Sequence, residues 1–202
     1  MTFAVPAPAR RLVLADLVPR TRARDALLVV GGAALVGALA QLSFHVPGTP
    51  VPVTGQTFGV LLGGAALGWR RALASMALYV VAGVVGVPWF AGHAHGMVGA
   101  SFGYLLAYPV AAAVVGALAG RHGDRTPLRT IATMLAGTAI IYAIGVTWLG
   151  VDLNLSAGTA FREGMRPFLI GDSLKMLLAA AVLPGTWALL RRHDSDEVAG
   201  EA

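Results

Sequence analysis

The sequence predicts an all-α membrane protein of six transmembrane helices with both termini in the cytoplasm, and three observations carry that reading. Of 202 residues, 56% are hydrophobic and 12% charged, about half the charged share of a soluble domain. Apolar runs recur along the chain between Pro/Gly-rich or Arg-bearing breaks, and a bilayer admits only helices or closed barrels. The arginines gather at alternate breaks, so the net charge of +5 reads as a topology signal rather than a nucleic-acid patch. Cysteine is absent, which excludes disulfides and thiolate ligands.

Residues 1–25 read as a cytoplasmic segment, rich in Pro and Arg and without the short apolar core of a signal peptide. A transmembrane domain follows over 26–192, then a solvated cytoplasmic tail over 193–202. The first span, Ala26 to Phe44, carries the small-xxx-small pairs Ala33/Gly37 and Ala34/Ala38. Such a face lets a second helix approach closely; that helix is either internal or a partner's. His45 to Gly55 holds Pro47, Pro50 and Pro52 and is not helical throughout. The second span, Gln56 to Leu67, is short for a ~30 Å hydrocarbon core. It must tilt, borrow loop residues or be sheltered by its neighbours. Gly68-Trp69-Arg70-Arg71 separates it from the third, Ala72 to Val87. An irregular stretch, Pro88 to Ala100, carries Trp89, Phe90, His93 and His95. The fourth, fifth and sixth spans are Ser101 to Gly120, Leu128 to Leu149 and Phe168 to Leu190.

Twelve arginines fall on one side of this pattern: Arg10, Arg11, Arg20, Arg22, Arg24, Arg70, Arg71, Arg121, Arg125, Arg129, Arg191 and Arg192. Only Arg162 and Arg166 fall on the other. The positive-inside rule then places both termini in the cytoplasm of a cell-membrane protein. The Pro-rich loop, the Trp/His loop and the start of the sixth span face outward.

That start holds Gly171-Asp172-Ser173-Leu174-Lys175, with the only lysine of the chain. Residues three apart share a helix face, their Cβ atoms about 5–6 Å apart. An ionisable side chain near mid-membrane costs roughly 2.5–3.5 kcal/mol on insertion scales. Asp172 and Lys175 lie about 6 and 10 Å into the span at ~1.5 Å per residue, so their cost is partial. One reading is an ion pair that locks the helix to its neighbours. The favoured one is a polar recognition site facing a cavity open to the exterior.

Three other signals carry less. Gly99-Ala100-Ser101-Phe102-Gly103 fits the G-x-S-x-G nucleophile pattern, but that motif needs a strand-to-helix elbow and a His base. His93 and His95, with His45, lack further ligands in register for a metal. No G-x-x-x-x-G-K-[ST] loop is present, so any ATP-driven step belongs to a partner.

Four runs, in this order, resemble the BioY family of biotin-binding S components of energy-coupling factor transporters. They are Pro50-Val51-Pro52-Val53-Thr54-Gly55-Gln56-Thr57, Gly86-Val87-Pro88-Trp89-Phe90-Ala91-Gly92, Gly99-Ala100-Ser101-Phe102-Gly103-Tyr104 and Gly171-Asp172-Ser173-Leu174-Lys175. The resemblance implies a six-helix S-component bundle that binds biotin near its external face and needs no cofactor. A transmembrane coupling protein with ATPase subunits then drives the vitamin inward. It also implies that Asp172 and Lys175 contact biotin, and that the small-residue face of the first helix docks on the coupling protein through Ala34 and Ala38, with Ala33 and Gly37 as the second match. An ionised Asp172 accepts from ureido N–H groups while Lys175 donates to a ligand oxygen. Gln56, Thr54 and Ser101 complete the polar set. Trp89, Phe90 and Tyr104, with Tyr142 and Trp148, supply aromatic walls. Some members carry an Arg where this chain has Leu105; if that Arg holds the ligand's carboxylate in them, the resemblance leaves His93, His95 or water at the pocket mouth as candidates here. A homo-oligomer is compatible with the sequence.

Overall fold

The computed structural model describes residues 13–200 apart from 18 and 20, with backbone alone over 193–200. Arg10, Arg11 and Arg20, counted above toward orientation, lie outside the described residues, as do 201 and 202. Seven α-helices are described: α1 Arg22–Ala40, α2 Gln56–Leu67, α3 Trp69–Val84, α4 Phe102–Ala119, α5 Pro127–Asp152, α6 Ala157–Gly164 and α7 Leu169–Gly200. Side-chain caps start three of them. Thr21 accepts from the Arg24 amide ahead of α1, Thr126 from Arg129 ahead of α5, and Ser156 from Thr159 ahead of α6. Each satisfies an N–H that the first turn leaves without a partner.

Among the described residues, four stretches are long and apolar enough to cross a membrane: Arg22–Ala40, Gly99–Ala119, Pro127–Asp152 and Ala157–Arg192. The 12 residues of α2 and the 16 of α3 extend only about 18 and 24 Å at ~1.5 Å per residue. One residue joins them, Gly68 at φ 78°, a conformation glycine adopts without a Cβ penalty.

Several boundaries differ from expectation for local reasons. The first helix stops at Ala40, not Phe44, because Ser43–Phe44 (β1) pairs antiparallel with Val53–Thr54 (β2), Ser43 opposite Thr54. The Pro-rich loop is thus a hairpin that returns Thr54 to the bundle. The third helix ends at Val84, not Val87, before Gly86 at φ 119°. Helix α6 lies in what reads as a loop, and α7 continues past Leu190 to Gly200, so the tail is helical over 193–200.

Helix α4 is the hub, packing on α5, α3 and α2. Ala107, Ala111, Ala112, Val115 and Ala119 on it are fully buried. The approach of α2 to α4 is set by Gly116, where a Cβ would lie 2.6 Å from the Gly68 carbonyl carbon. Helix α1 lies on α3 and α2, whereas α7 leans mainly on α5 and touches α2. The arginine-bearing end is tied by polar contacts. Arg71 pairs with Asp16 at 3.2 Å and Asp25 at 2.9 Å. The Trp187 indole N–H donates to buried Asp124 at 2.7 Å, with the Arg125 guanidinium over its ring.

Candidate functional site

At the opposite end the helices part around a cavity of about 220 Å³, below the ~300–1,000 Å³ of sites for drug-sized ligands. Its location follows from the short second helix. At the N-terminus of α2 the β2 strand and the first turn of α2 form part of the wall, and non-helical backbone is tolerated within a membrane protein where protein shelters it or a cavity adjoins it. Phe90 and Ala94 of the loop, Leu105 and Tyr108 of α4, Tyr142 of α5, and Asp172 and Lys175 of α7 line the cavity.

Asp172 and Lys175 pair at 2.9 Å, as their spacing requires, and both line the cavity. The ammonium directs its three N–H groups to Asp172 Oδ1 at 2.9 Å, Thr57 Oγ1 at 2.7 Å and the Thr54 carbonyl at 3.0 Å. The Thr57 hydroxyl also lies 3.4 Å from Asp172 Oδ1, and the Tyr142 hydroxyl donates to Asp172 Oδ2. The pair locks α7 to α2 and β2, and it lines the cavity. A carboxylate offers about four lone-pair positions. Three donors surround this one, so one position remains for a ligand N–H. An ammonium has three donors and all three are used. A ligand oxygen reaches Lys175 only by displacing a present partner.

Of the residues singled out by sequence, Thr54, Gln56, Phe90, Ser101, Tyr104 and Tyr142 join Asp172 and Lys175 on the wall. The Thr54 hydroxyl donates to Gln56 Oε1 at 2.9 Å, and Gln56 Nε2 donates to the Tyr79 hydroxyl at 2.6 Å. Tyr104 donates to the Gly164 carbonyl at 2.6 Å, tying α4 to α6. Ser101 sits in a 3-10 turn leading into α4, not at a strand-to-helix elbow. Trp89 and His93 stand outside the wall. The Trp89 indole is turned onto Tyr79, to whose carbonyl it donates at 2.9 Å, and His93 is exposed with its amide held by Gln41. Trp148 donates to the Gly99 carbonyl and packs on Phe102. Among the described residues, no three His, Cys, Asp or Glu side chains gather closely enough to hold a metal ion.

Thr57, Tyr108 and Phe168 line the cavity without having been singled out. Thr57 follows Gln56 in the first motif and was legible as a polar residue one step into a buried helix; Tyr108 and Phe168 sit in apolar runs that give no such signal. On α1, the alternatives separate. Ala33 and Gly37 are buried against the bundle, whereas Ala34 and Ala38 face outward.

A helical membrane bundle with an ion pair of buried Asp172 and half-buried Lys175 on the wall of a small, largely apolar cavity has the architecture of a membrane-embedded transport protein. The chain belongs to the BioY family, whose model matches residues 11–192. It is 33% identical over 164 residues to the probable biotin transporter BioY of Pyrococcus horikoshii, covering 80% of this chain and 94% of that one. It is 31% identical over 168 residues to the biotin transporter BioY of Rhizobium etli, covering 78% and 89%. Among solved structures, the S-component for biotin from an ECF-type ABC transporter superposes with a TM-score of 0.75 at 20% identity, over 84% of this chain and 95% of that one. That last likeness is one of fold.

Proposed function

We propose that this chain is the biotin-capturing S component of an energy-coupling factor uptake system, a transport protein and not an enzyme. The carrying observation is the Asp172–Lys175 pair on the wall of a cavity that is otherwise largely apolar. Biotin matches such a wall: a ureido ring with two N–H donors and one carbonyl, an apolar thioether ring, and a flexible acid chain. One ureido N–H takes the free position on Asp172, and the ureido oxygen takes a Lys175 N–H. Charge-assisted bonds of this kind are about twice as strong as neutral ones. Phe90, Tyr104 and Tyr108 face the apolar rings. With no arginine on the wall, the ligand's carboxylate points toward the mouth and water.

We take the bundle to span the bilayer six times, α2 and α3 crossing with help from the hairpin and from neighbouring helices. The clustered arginines set their end in the cytoplasm and the cavity toward the exterior. ATP-driven partners supply energy, and the outward Ala34/Ala38 face of α1 is where a coupling protein docks.

The test is a titration of detergent-purified protein with biotin, dethiobiotin and an unrelated vitamin, followed by tryptophan fluorescence. Saturable binding of biotin, lost in Asp172→Asn, supports the reading. Unchanged affinity in Asp172→Asn would falsify the recognition role. Ligand recovered chemically unchanged separates a receptor from an enzyme.

A further inference from the structure

We infer that Gln41 and Tyr79 are positioning residues that couple occupancy of the cavity to the outward face of α1. They do so through a run of hydrogen bonds joined through the Thr54 residue and at the shared Trp89 carbonyl. The inference rests on the biotin-capture reading above.

The chain begins at Lys175, which donates to the Thr54 carbonyl at 3.0 Å. The Thr54 hydroxyl donates to Gln56 at 2.9 Å, and Gln56 donates to the Tyr79 hydroxyl at 2.6 Å. Tyr79 donates in turn to the Trp89 carbonyl at 3.2 Å. On the far side of that carbonyl stands Gln41, the C-cap of α1. Its Nε2 lies 3.2 Å from the Trp89 and Phe90 carbonyls and 3.1 Å from the Gly37 carbonyl, while its Oε1 accepts from the His93 amide at 3.2 Å. One amide therefore clamps the loop that carries Phe90 onto the last turn of α1. The clamp is tight. A Cβ on Gly37 would lie 3.2 Å from Trp89 Cβ, so loop and helix have no slack between them.

Two physical facts turn this chain into a device. Gln56 and Tyr79 are buried, and a buried polar group left without a partner costs about 1–3 kcal/mol. Members must therefore shift together or exchange partners together. All three N–H groups of Lys175 are in use, so a ligand oxygen that takes the one aimed at Thr54 removes the first link. Phe90, at the other end, is both a cavity wall and a carbonyl held by Gln41. Filling the cavity thus perturbs the chain from both ends, and α1 is its terminus. Tyr79 and Gln41 are themselves off the cavity wall. Their contribution is positional.

The chain contains no cysteine, so one introduced at Leu35, on the exposed face of α1, carries an environment-sensitive fluorophore alone. In the labelled parent, biotin is expected to shift the emission in parallel with binding. Gln41→Leu and Tyr79→Phe are expected to bind biotin yet lose at least half of that shift. Gln41→Glu, which keeps the acceptor for His93 but loses the donors, is expected to behave as Gln41→Leu. A merely structural role predicts a lowered melting temperature with the shift per bound ligand unchanged, and that result overturns the inference. So does a parent that binds biotin without any shift. A parent that does not bind biotin overturns the capture reading and this inference with it.

Discussion

Asp172 is held by Lys175 and Thr57 on one oxygen and by Tyr142 on the other. A carboxylate so fixed presents one remaining lone-pair position in a set direction. Charged hydrogen bonds contribute about 1.5–3 kcal/mol. Asp172→Asn is therefore expected to weaken biotin binding by about 10–100-fold, checked by titration. Lys175→Met removes the counter-charge and leaves Asp172 uncompensated; breaking a fully buried pair costs about 3–5 kcal/mol, and the 22% exposure of the Lys175 side chain puts this loss below that range. Its melting temperature should fall well below the parent's. The double variant Asp172→Asn/Lys175→Met should recover much of that fall without recovering binding, which separates recognition from structure. At the other end, Asp124 is fully buried. Burial holds its carboxyl above the ordinary carboxylate range, against opposing pulls from the Trp187 N–H and Arg125. A pKa raised on folding gives stability that is present below the unfolded value, about 3.9, and is lost as pH rises through the folded value. Asp124→Asn keeps an acceptor for Trp187. It should flatten this part of the pH dependence of thermal unfolding, with less loss of stability than the parent shows as pH rises above the unfolded carboxylate value.

At the scale of elements, the helices were largely legible and their ends were not. Long apolar runs with arginine at their borders mark α1, α4, α5 and α7 unambiguously, because the bilayer enforces length and composition. The hairpin was not legible: Ser43–Phe44 and Val53–Thr54 are two-residue strands, too short for any alternation to register. Helix α6 was missed because its eight residues are amphipathic and carry no long apolar run, although Ser156 ahead of it is an N-cap signal. The Asp172–Lys175 pair was readable from spacing alone, but its ties to Thr54 and Thr57 depend on a fold that brings residues more than 100 positions apart into contact. The two small-residue stripes on α1 look alike in sequence, and only the fold shows that one is buried in the bundle while the other faces outward. Ala33→Leu, on the buried stripe, should lower the melting temperature. Ala34→Trp, on the outward stripe, should leave melting and biotin affinity intact and reduce energised uptake into cells. The contact between α2 and α4 at Gly116 is equally specific. Gly116→Ala should destabilise by about 1–3 kcal/mol, read by thermal unfolding, with biotin affinity preserved because the contact lies at the far end from the cavity.

Across the whole molecule, the two ends of the bundle differ in construction. The arginine-bearing end is closed by backbone-to-backbone packing at Gly116 and by the Arg71 and Asp124 clusters. The cavity end is built of short helix starts, a hairpin and a loop, held by side-chain hydrogen bonds. The last helix adds a further asymmetry, since it meets the first half of the chain mainly through α2 and the polar ties of Lys175. A ligand bridging α7 to the hairpin stabilises that seam by mass action, about 2.7 kcal/mol at a hundredfold excess over its dissociation constant. Proteases that act on transiently opened chains sample that seam in proportion to how often it parts. An empty subunit is therefore expected to turn over faster in the membrane than an occupied one, measurable by pulse-chase with and without biotin. On that outcome, nutrient supply would govern not only what each copy carries but how long it survives.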